Sequence, residues 1–384
     1  MKISVERELL VNALSNLQRA VTPRASLPIL EGVLLSAEEG KLTLMAYNME
    51  ISMKKELPIV CSEQGDIVIS ARILFEIIRK VRGTTIQLQT DDHLVCHISC
   101  GAAVFDIMGM ASEDFPEMPN VAEYKTVTLS SEDLKSMVRQ TSFAAAQMEG
   151  TRPILTGLDF EIENGQLKVV AIDGNRLAIR KKAINSSEKI SFVVSSRAIS
   201  EAVKIIGEEE QSIVIKVGSR NISFEIDGYI LTSRLLEGAY IDYSRSIPQS
   251  FAQEIKINVP QIIEIIERIS LVIVNDQIKS PVRCALNEDC LTFSCTSSVG
   301  RATDCCDIEL KGSEFEIGFN NRYLLDALKA TEEDEVLVRF NGPNAAAVIT
   351  PLEGVDYLYL VLPIILKWWK KLKLQPILLS WIVF

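Results

Sequence analysis

The sequence predicts an α+β protein built from three tandem homologous domains, each with two helices packed on two small antiparallel sheets. Three observations predict it. The stretch TRPILTGLDFEIENGQLKVVAIDGNRLAIRKK at residues 151–182 repeats the pattern of SLPILEGVLLSAEEGKLTLMAYNMEISMKK at residues 26–55. Pro28 and Pro153 stand 125 residues apart, as do Gly40 and Gly165, Leu42 and Leu167, and Ala46 and Ala171. A third copy begins KSPVRCALNEDCLTFSC at Lys279, with Pro281 and Leu291 in the places of Pro153 and Leu167. Next, VISARILFEI, SSRAISEAV and GFNNRYLLDAL put Arg72, Arg197 and Arg322 at successive steps of 125, and Leu74, Ile199 and Leu324 keep the same step. Last, KISVERELLVNAL, TVTLSSEDLKSMV and EIKINVPQIIEII match at Ile3, Val127 and Ile255, and at Leu10, Leu134 and Ile262. A period of about 120 residues is too long for a solenoid, so each unit carries its own core.

The elements follow in order. Residues 6–21 read as an amphipathic helix with Leu9, Leu10, Ala13, Leu14 and Leu17 at helical spacing, ended by Pro23. Strands are expected at 30–37, 42–47 and 50–57, then a short one at 67–70. A helix at 71–82 stops at Gly83, and strands at 85–90, 93–99 and 103–110 complete the unit. The second domain repeats this with helices at 131–145 and 196–206, and the third with helices at 259–270 and 321–330. The domains are placed at residues 1–122, 127–248 and 249–366, with an atypical tail at 367–384.

Composition narrows the function. The 384 residues are 47% hydrophobic and carry a net charge of -11, which excludes a protein that coats nucleic acid over its whole surface. A local basic face on an acidic body remains open. MKISVEREL has charges where an export signal needs an apolar run, and no stretch approaches the ~20 apolar residues of a membrane span, so a cytoplasmic chain is expected. Eight cysteines without a secreted context read as reduced thiols. His93, Cys96, His97 and Cys100 resemble a metal cluster, but DDHLVCHISC alternates like a strand and divides them between two faces, so no metal is expected. No P-loop, GxSxG, HExxH or dinucleotide fingerprint is present, and both histidines lie in one strand. The expectation is a chain without catalysis or cofactor.

The second helix of each domain carries a more telling pattern. Arg72, Glu76 and Arg79 stand at i, i+4 and i+7, repeated by Arg197, Glu201 and Lys204 and by Arg322, Asp326 and Lys329. At ~3.6 residues per turn each set lines one stripe. One reading is a solvated stripe of i,i+4 ion pairs, worth a few tenths of a kcal/mol each. The other is a face basic by one charge per helix, presented three times. Arg24, Lys80, Arg82, Arg139 and Arg152 add positive charge nearby and favour a surface for a polyanion. With no aromatic platform interleaved, the contacts would be to phosphates, sequence-independent and salt-sensitive.

At this point the chain resembles the beta sliding clamps, the processivity subunits of bacterial DNA polymerase III. The resemblance runs from Met1 to about Pro363 and rests on MKISVERELL, TPRASLPIL, ASEDFP, AIDGNRLAI, LLEGAYIDYSR, IGFNNRYLLDAL and YLYLVLP. It implies a head-to-tail homodimer, six similar domains in a ring around duplex DNA with helices lining the hole, each chain being half of the ring. It implies DNA contacts at Arg24, Arg72, Arg79, Lys80, Arg82, Arg152 and Arg197, to which the repeated stripe adds Lys204, Arg322 and Lys329, and nearby basic charge adds Arg139. A dimer contact of Phe105 and Ile107 against Ile273 and Val274 is implied too; ordinary core packing is the alternative for these four. So is a pocket for short peptides of polymerase, clamp loader and other partners, formed by Asp173, Gly174, Asn175, Arg176, Leu177, Ile241, Arg245, Ser246, Asn320, Tyr323, Leu360, Leu362 and Pro363. In it Leu177, Ile241, Leu360 and Leu362 supply an apolar floor, framed by Arg176 and Arg245.

Two departures stand out. Ile241 replaces a common proline, and IILKWWKKLKLQPILLSWIVF follows Pro363 where the family ends within a few residues. The tail holds all three tryptophans and fits three readings: an altered terminus, an apolar peptide that docks on the pocket, or a membrane or partner anchor, the last weakened by Pro376. The expected function is a DNA sliding clamp. The alternatives are a clamp-derived scaffold whose tail blocks the pocket or tethers it to a membrane, and an enzyme built on dispersed acids.

Overall fold

The computed structural model describes residues 1–147, 152–273 and 281–366. Val274 and the tail at 367–384 lie outside the described residues. Six α-helices occur among the described residues: α1 (Arg7–Leu17), α2 (Ala71–Lys80), α3 (Ser131–Ser142), α4 (Ser196–Ile205), α5 (Val259–Ser270) and α6 (Asn321–Lys329). None is long and apolar enough to cross a membrane.

The helices form where apolar spacing and capping agree. On α2, Ala71, Leu74 and Ile78 are buried while Arg72, Arg79 and Lys80 are exposed. On α4, Ala198, Ile199, Ala202 and Ile205 point inward, and Ser195 caps the helix by accepting the Ala198 N–H at 3.1 Å. On α6, Leu324, Ala327 and Leu328 are buried and the Asn320 carbonyl oxygen accepts the Arg322 N–H at 2.9 Å. Each fully buried Leu or Ile stabilises its helix against the sheet by about 1.5–3 kcal/mol. The first helix is shorter than the periodicity suggests. It ends at Leu17, and Gln18–Ala20 continue as a 3-10 turn.

The chain divides into two compact units, Met1–Lys135 with Phe192–Glu237, and Ser136–Ser191 with the chain from Gly238 onward. The three repeats do not coincide with these units, because the second repeat is shared between them. Sheet pairing gives the reason. In the first unit the strand Ile51–Pro58 of the first repeat pairs antiparallel with Tyr229–Arg234 of the second, so one eight-stranded sheet runs through both. In the second unit Arg176–Ala183 of the second repeat pairs with Tyr357–Val361 of the third. The small sheets expected in each domain have merged across the seams.

Each unit also keeps a sheet that ends in an open edge. The first unit's five-stranded sheet ends at Ala103–Met108, and the second unit's four-stranded sheet has Arg301–Asp307 at an edge. The strand before the first edge, Val95–Cys100, alternates as expected. Cys96 and Cys100 are buried, and His97 turns outward, its Nδ1 lying 2.6 Å from the Asp106 carboxylate. His93 falls in the preceding turn.

Candidate functional sites

The basic stripes are exposed, but their internal pairing differs from the i,i+4 ladder. On α2, Arg79 donates to both Glu76 oxygens at 2.9 Å, and Lys80 reaches the same carboxylate at 3.3 Å. On α4, Lys204 meets Glu201 at 2.7 Å, and Arg19 approaches it at 3.5 Å. Arg197, at the start of that stripe, meets Glu50 at 3.2 Å. On α6 the acid leaves the stripe. Asp326 accepts from Arg176 at 2.5 Å, and Lys329 pairs with Glu267 of α5 at 2.6 Å. Arg322 is exposed on the same helix. Arg139 bonds Glu332, which also accepts the Ser136 hydroxyl at 3.0 Å. Arg24 and Arg152 are exposed in equivalent loops, Arg24 with a left-handed φ of 59°. Arg82 is exposed just beyond α2.

The residues of the expected peptide site gather within the second unit. Leu177 and Leu360 face each other directly across the seam and are buried in one cluster with Val170, Ile179, Tyr243, Ala346 and Val348. Sequence reading missed the last five. For Val170, Ala346 and Val348 the signal was the continuous apolar runs VVAI and AAAVI, which mark buried strands without saying what covers them. Leu362 is 42% exposed at the edge of this surface, and its N–H donates to the Asn175 carbonyl at 2.8 Å. Ile241 is half-buried, while Arg245 and Ser246 are exposed. Arg245 stays near Asp242 at 3.4 Å. Pro363 leads into a segment that folds back on the strand Phe315–Phe319: Ile364 donates to the Gly318 carbonyl at 2.7 Å. A Cβ on Gly318 would lie 2.6 Å from the Leu366 side chain, so glycine lets this segment approach.

Arg176 takes the other side of the strand. Successive residues point to opposite faces, so Arg176 lies opposite to Leu177. Its Nε donates to Asp173 at 2.9 Å and its Nη1 to Asp326, and its guanidinium lies 4.5 Å from the Tyr323 ring and 5.6 Å from the Phe143 ring. Asp173 also accepts the N–H groups of Asn175 and Arg176 at 2.8 and 3.0 Å, closing a turn in which Gly174 has φ +89°. Phe143, which the sequence did not single out, and Asp326, which it placed in the stripe of α6, are therefore contacts of Arg176 behind this site.

On the open edge of the first unit, Phe105 is 37% exposed and Ile107 half-buried. Between this strand and α2 lies a depression of about 690 Å³ lined by Ile73, Ile77, Val81 and Phe105, with Lys80 and Arg82 at its rim. In the second unit, Leu271 after α5 is 81% exposed and Ile273 half-buried.

One carboxyl group is strongly perturbed. Asp159 is buried on the strand Gly157–Glu163, where the Ser191 hydroxyl donates to it at 3.3 Å, and burial beside Glu161 pushes it up to about 6. Among the described residues no group of three His, Cys, Asp or Glu is arranged to hold a metal ion.

Repeated two-helix domains joined through shared sheets, with basic stripes on their helices, define a multi-domain architecture of clamp type. Comparison with known proteins makes this specific. The N-terminal, central and C-terminal domain profiles of the DNA polymerase III beta subunit match residues 1–119, 128–242 and 244–365. The chain is 30% identical over 377 residues to the beta sliding clamp of Staphylococcus epidermidis, covering 95% of this chain and 99% of that one. The solved sliding clamp of Bacillus subtilis superposes with a TM-score of 0.91 at 27% identity, covering 95% of this chain and 99% of that chain. A sliding clamp from Pseudomonas aeruginosa, bound to griselimycin, gives 0.89 at 26% identity, covering 95% of this chain and 100% of that chain. The chain belongs to the DNA polymerase III beta subunit family, the bacterial sliding clamps. It is a DNA sliding clamp, a non-catalytic processivity factor that works as a ring dimer on DNA inside the cell and tethers polymerase and other partners.

Proposed function

We propose that this clamp closes its ring by joining the open edge Ala103–Met108 of one copy to the open edge Arg301–Asp307 of the other. The repeated register of the two seams carries this reading. Tyr229 pairs with Lys55 and Leu231 with Met53 in the first unit, while Tyr357 pairs with Arg180 and Tyr359 with Ala178 in the second. Lys55 and Arg180 hold equivalent places in the repeat, as do Tyr229 and Tyr357. Carrying the equivalence one step further, Ala103 takes the place of Tyr229 and Asp304 that of Arg180. A second copy then pairs Ala103 with Asp304, Val104 with Thr303, Phe105 with Ala302, and Asp106 with Arg301. The last pair sets opposite charges face to face. Leu271 and Ile273 of the second copy fill the depression beside Phe105.

On this reading the stripes of α2, α4 and α6, with Arg24, Arg82, Arg139 and Arg152, face duplex DNA. Because their acids neutralise part of the charge, phosphate contacts stay weak and salt-sensitive, as sliding requires. The Leu177–Leu360 surface, rimmed by Leu362, Ile241 and Arg245, receives partner peptides and griselimycin. Asp173, Gly174, Asn175, Ser246, Asn320, Tyr323 and Pro363 shape its border. The protein works in the cytoplasm, with three domains at about residues 1–122, 127–248 and 249–366.

Charge reversal tests ring closure. Asp106→Arg and Arg301→Asp, made singly, each place like charges opposite one another at both interfaces. The dimer dissociation constant, measured by sedimentation, should rise on the order of tenfold for each. The double reversal should return it towards wild type and restore retention on nicked circular DNA. Single variants that dimerise like wild type would sink the register.

A further inference from the structure

We propose that Asp326, on the DNA-side helix α6, is a positioning residue for the partner-peptide surface and acts through Arg176. The inference rests on the reading that the Leu177–Leu360 surface receives peptides.

The argument begins with the chain of contacts behind that surface. Asp326 accepts from Arg176 Nη1, Arg176 Nε donates to Asp173, and Asp173 accepts the two N–H groups that close the turn from Asp173 to Arg176. The Asn175 carbonyl at the top of that turn accepts the Leu362 N–H, and Leu177 follows directly as the cross-strand partner of Leu360. The turn therefore sets where Leu362 stands relative to Leu177 and Leu360. Arg176 itself cannot line the apolar face, since it points to the opposite side of the strand. It fixes the turn from behind, and Asp326 fixes Arg176.

The other seam provides a built-in control. There Ile51 holds the place of Arg176, and Glu201 holds that of Asp326. Glu201 meets Lys204 and Arg19, cations unrelated to the seam strand. At that seam the turn is tied to α4 by another route, Ser195 and Arg197 donating to Glu50 at 3.0 and 3.2 Å, so the link from a mid-helix acid to a seam-strand arginine belongs to the seam where the peptide surface lies. Arg176 is 11% and Asp326 43% exposed, so the pair is shielded mainly at the arginine. A planar guanidinium stacked on Tyr323 and forked between two carboxylates has one favoured orientation, which suits it to positioning.

The experiment measures griselimycin binding to the full dimeric chain by calorimetry, with amide hydrogen exchange recorded at Asn175, Arg176 and Leu362. Asp326→Asn should weaken binding on the order of three- to tenfold and speed exchange at those amides. Asp326→Glu, which keeps the carboxylate, should recover most of the affinity. In an Arg176→Met background, Asp326→Asn should have no further effect. An equal loss in both backgrounds would mean that Asp326 supports α6 and nothing more, overturning the proposal. So would wild-type binding by Asp326→Asn. If the wild-type chain itself fails to bind griselimycin, the peptide-surface reading falls, and unchanged exchange in Asp326→Asn would then overturn the positioning claim separately.

Discussion

On α2 the acid of the stripe, Glu76, is held by Arg79 and Lys80 of its own helix, all of them open to solvent. On α6 the acid at the same step, Asp326, turns from its helix to Arg176 on a neighbouring strand. The two helices share a base–acid–base pattern, a repeat position and an apolar inner face. They differ in what a carboxylate can reach. Beside α6 stands the second repeat's strand with a shielded arginine, while α2 offers Glu76 two cations on its own surface. An exposed pair of the first kind adds a few tenths of a kcal/mol and yields to salt. A partly shielded pair of the second kind fixes geometry, and removing one partner leaves a desolvated charge behind.

The contrast can be broken most forcefully at Arg176. Arg176→Met removes the cation between Asp173 and Asp326, and stability should fall on the order of 2 kcal/mol, the cost of a shielded pair discounted for the exposure of Asp326. A lower thermal midpoint for the second unit would register it, whereas an unchanged midpoint would place Asp326 in the same solvated class as Glu76. A third acid sharpens the comparison, because Asp159 is buried beside Glu161 with the Ser191 hydroxyl donating to it. Its carboxyl is pushed up from 3.8 to about 6. Between these values the folded chain holds a proton that the unfolded chain releases, so stability should decline as pH rises through this window. Above about pH 6 the cost is fully present, on the order of 3 kcal/mol. Asp159→Asn should flatten that decline and raise the midpoint at pH 8; a variant that keeps the wild-type slope would acquit Asp159. The smallest effect is expected at Glu76. Arg79 and Lys80 hold its carboxyl below the ordinary range, so it stays charged and masks them at neutral pH. Glu76→Gln should leave stability within about 0.5 kcal/mol. It should tighten DNA binding and steepen its salt dependence by up to about one unit per base released. A salt titration with an unchanged slope would remove α2 from the DNA-facing surface.

Much of the fold was legible because it is local and repeated. The 125-residue steps at Arg72, Arg197 and Arg322 announced the domains, and the spacing of Leu74 and Ile78 or of Leu324 and Leu328 announced which helix face turns inward. Strand alternation placed Cys96 and Cys100 on one side and His97 on the other. The candidate sites were legible in part. The stripe residues are exposed side by side, but the partner of each acid was not in the pattern, because an i,i+4 rule knows only its own helix. Tyr243, Ala346 and Val348 stayed hidden for a related reason: an apolar run or a loop tyrosine marks burial without naming the strand or loop that covers it.

The sequence by itself determined the repeat, the helices and their inner faces, and the local chemistry offered at each step, since these depend on neighbours within a few residues. Only the tertiary structure decided which strand edges fuse, that Leu177 meets Leu360, and that Asp326 reaches Arg176 on a strand of the second repeat. Those choices depend on register between segments far apart in the chain, where two carboxylates of the same pattern meet different surroundings and take different partners.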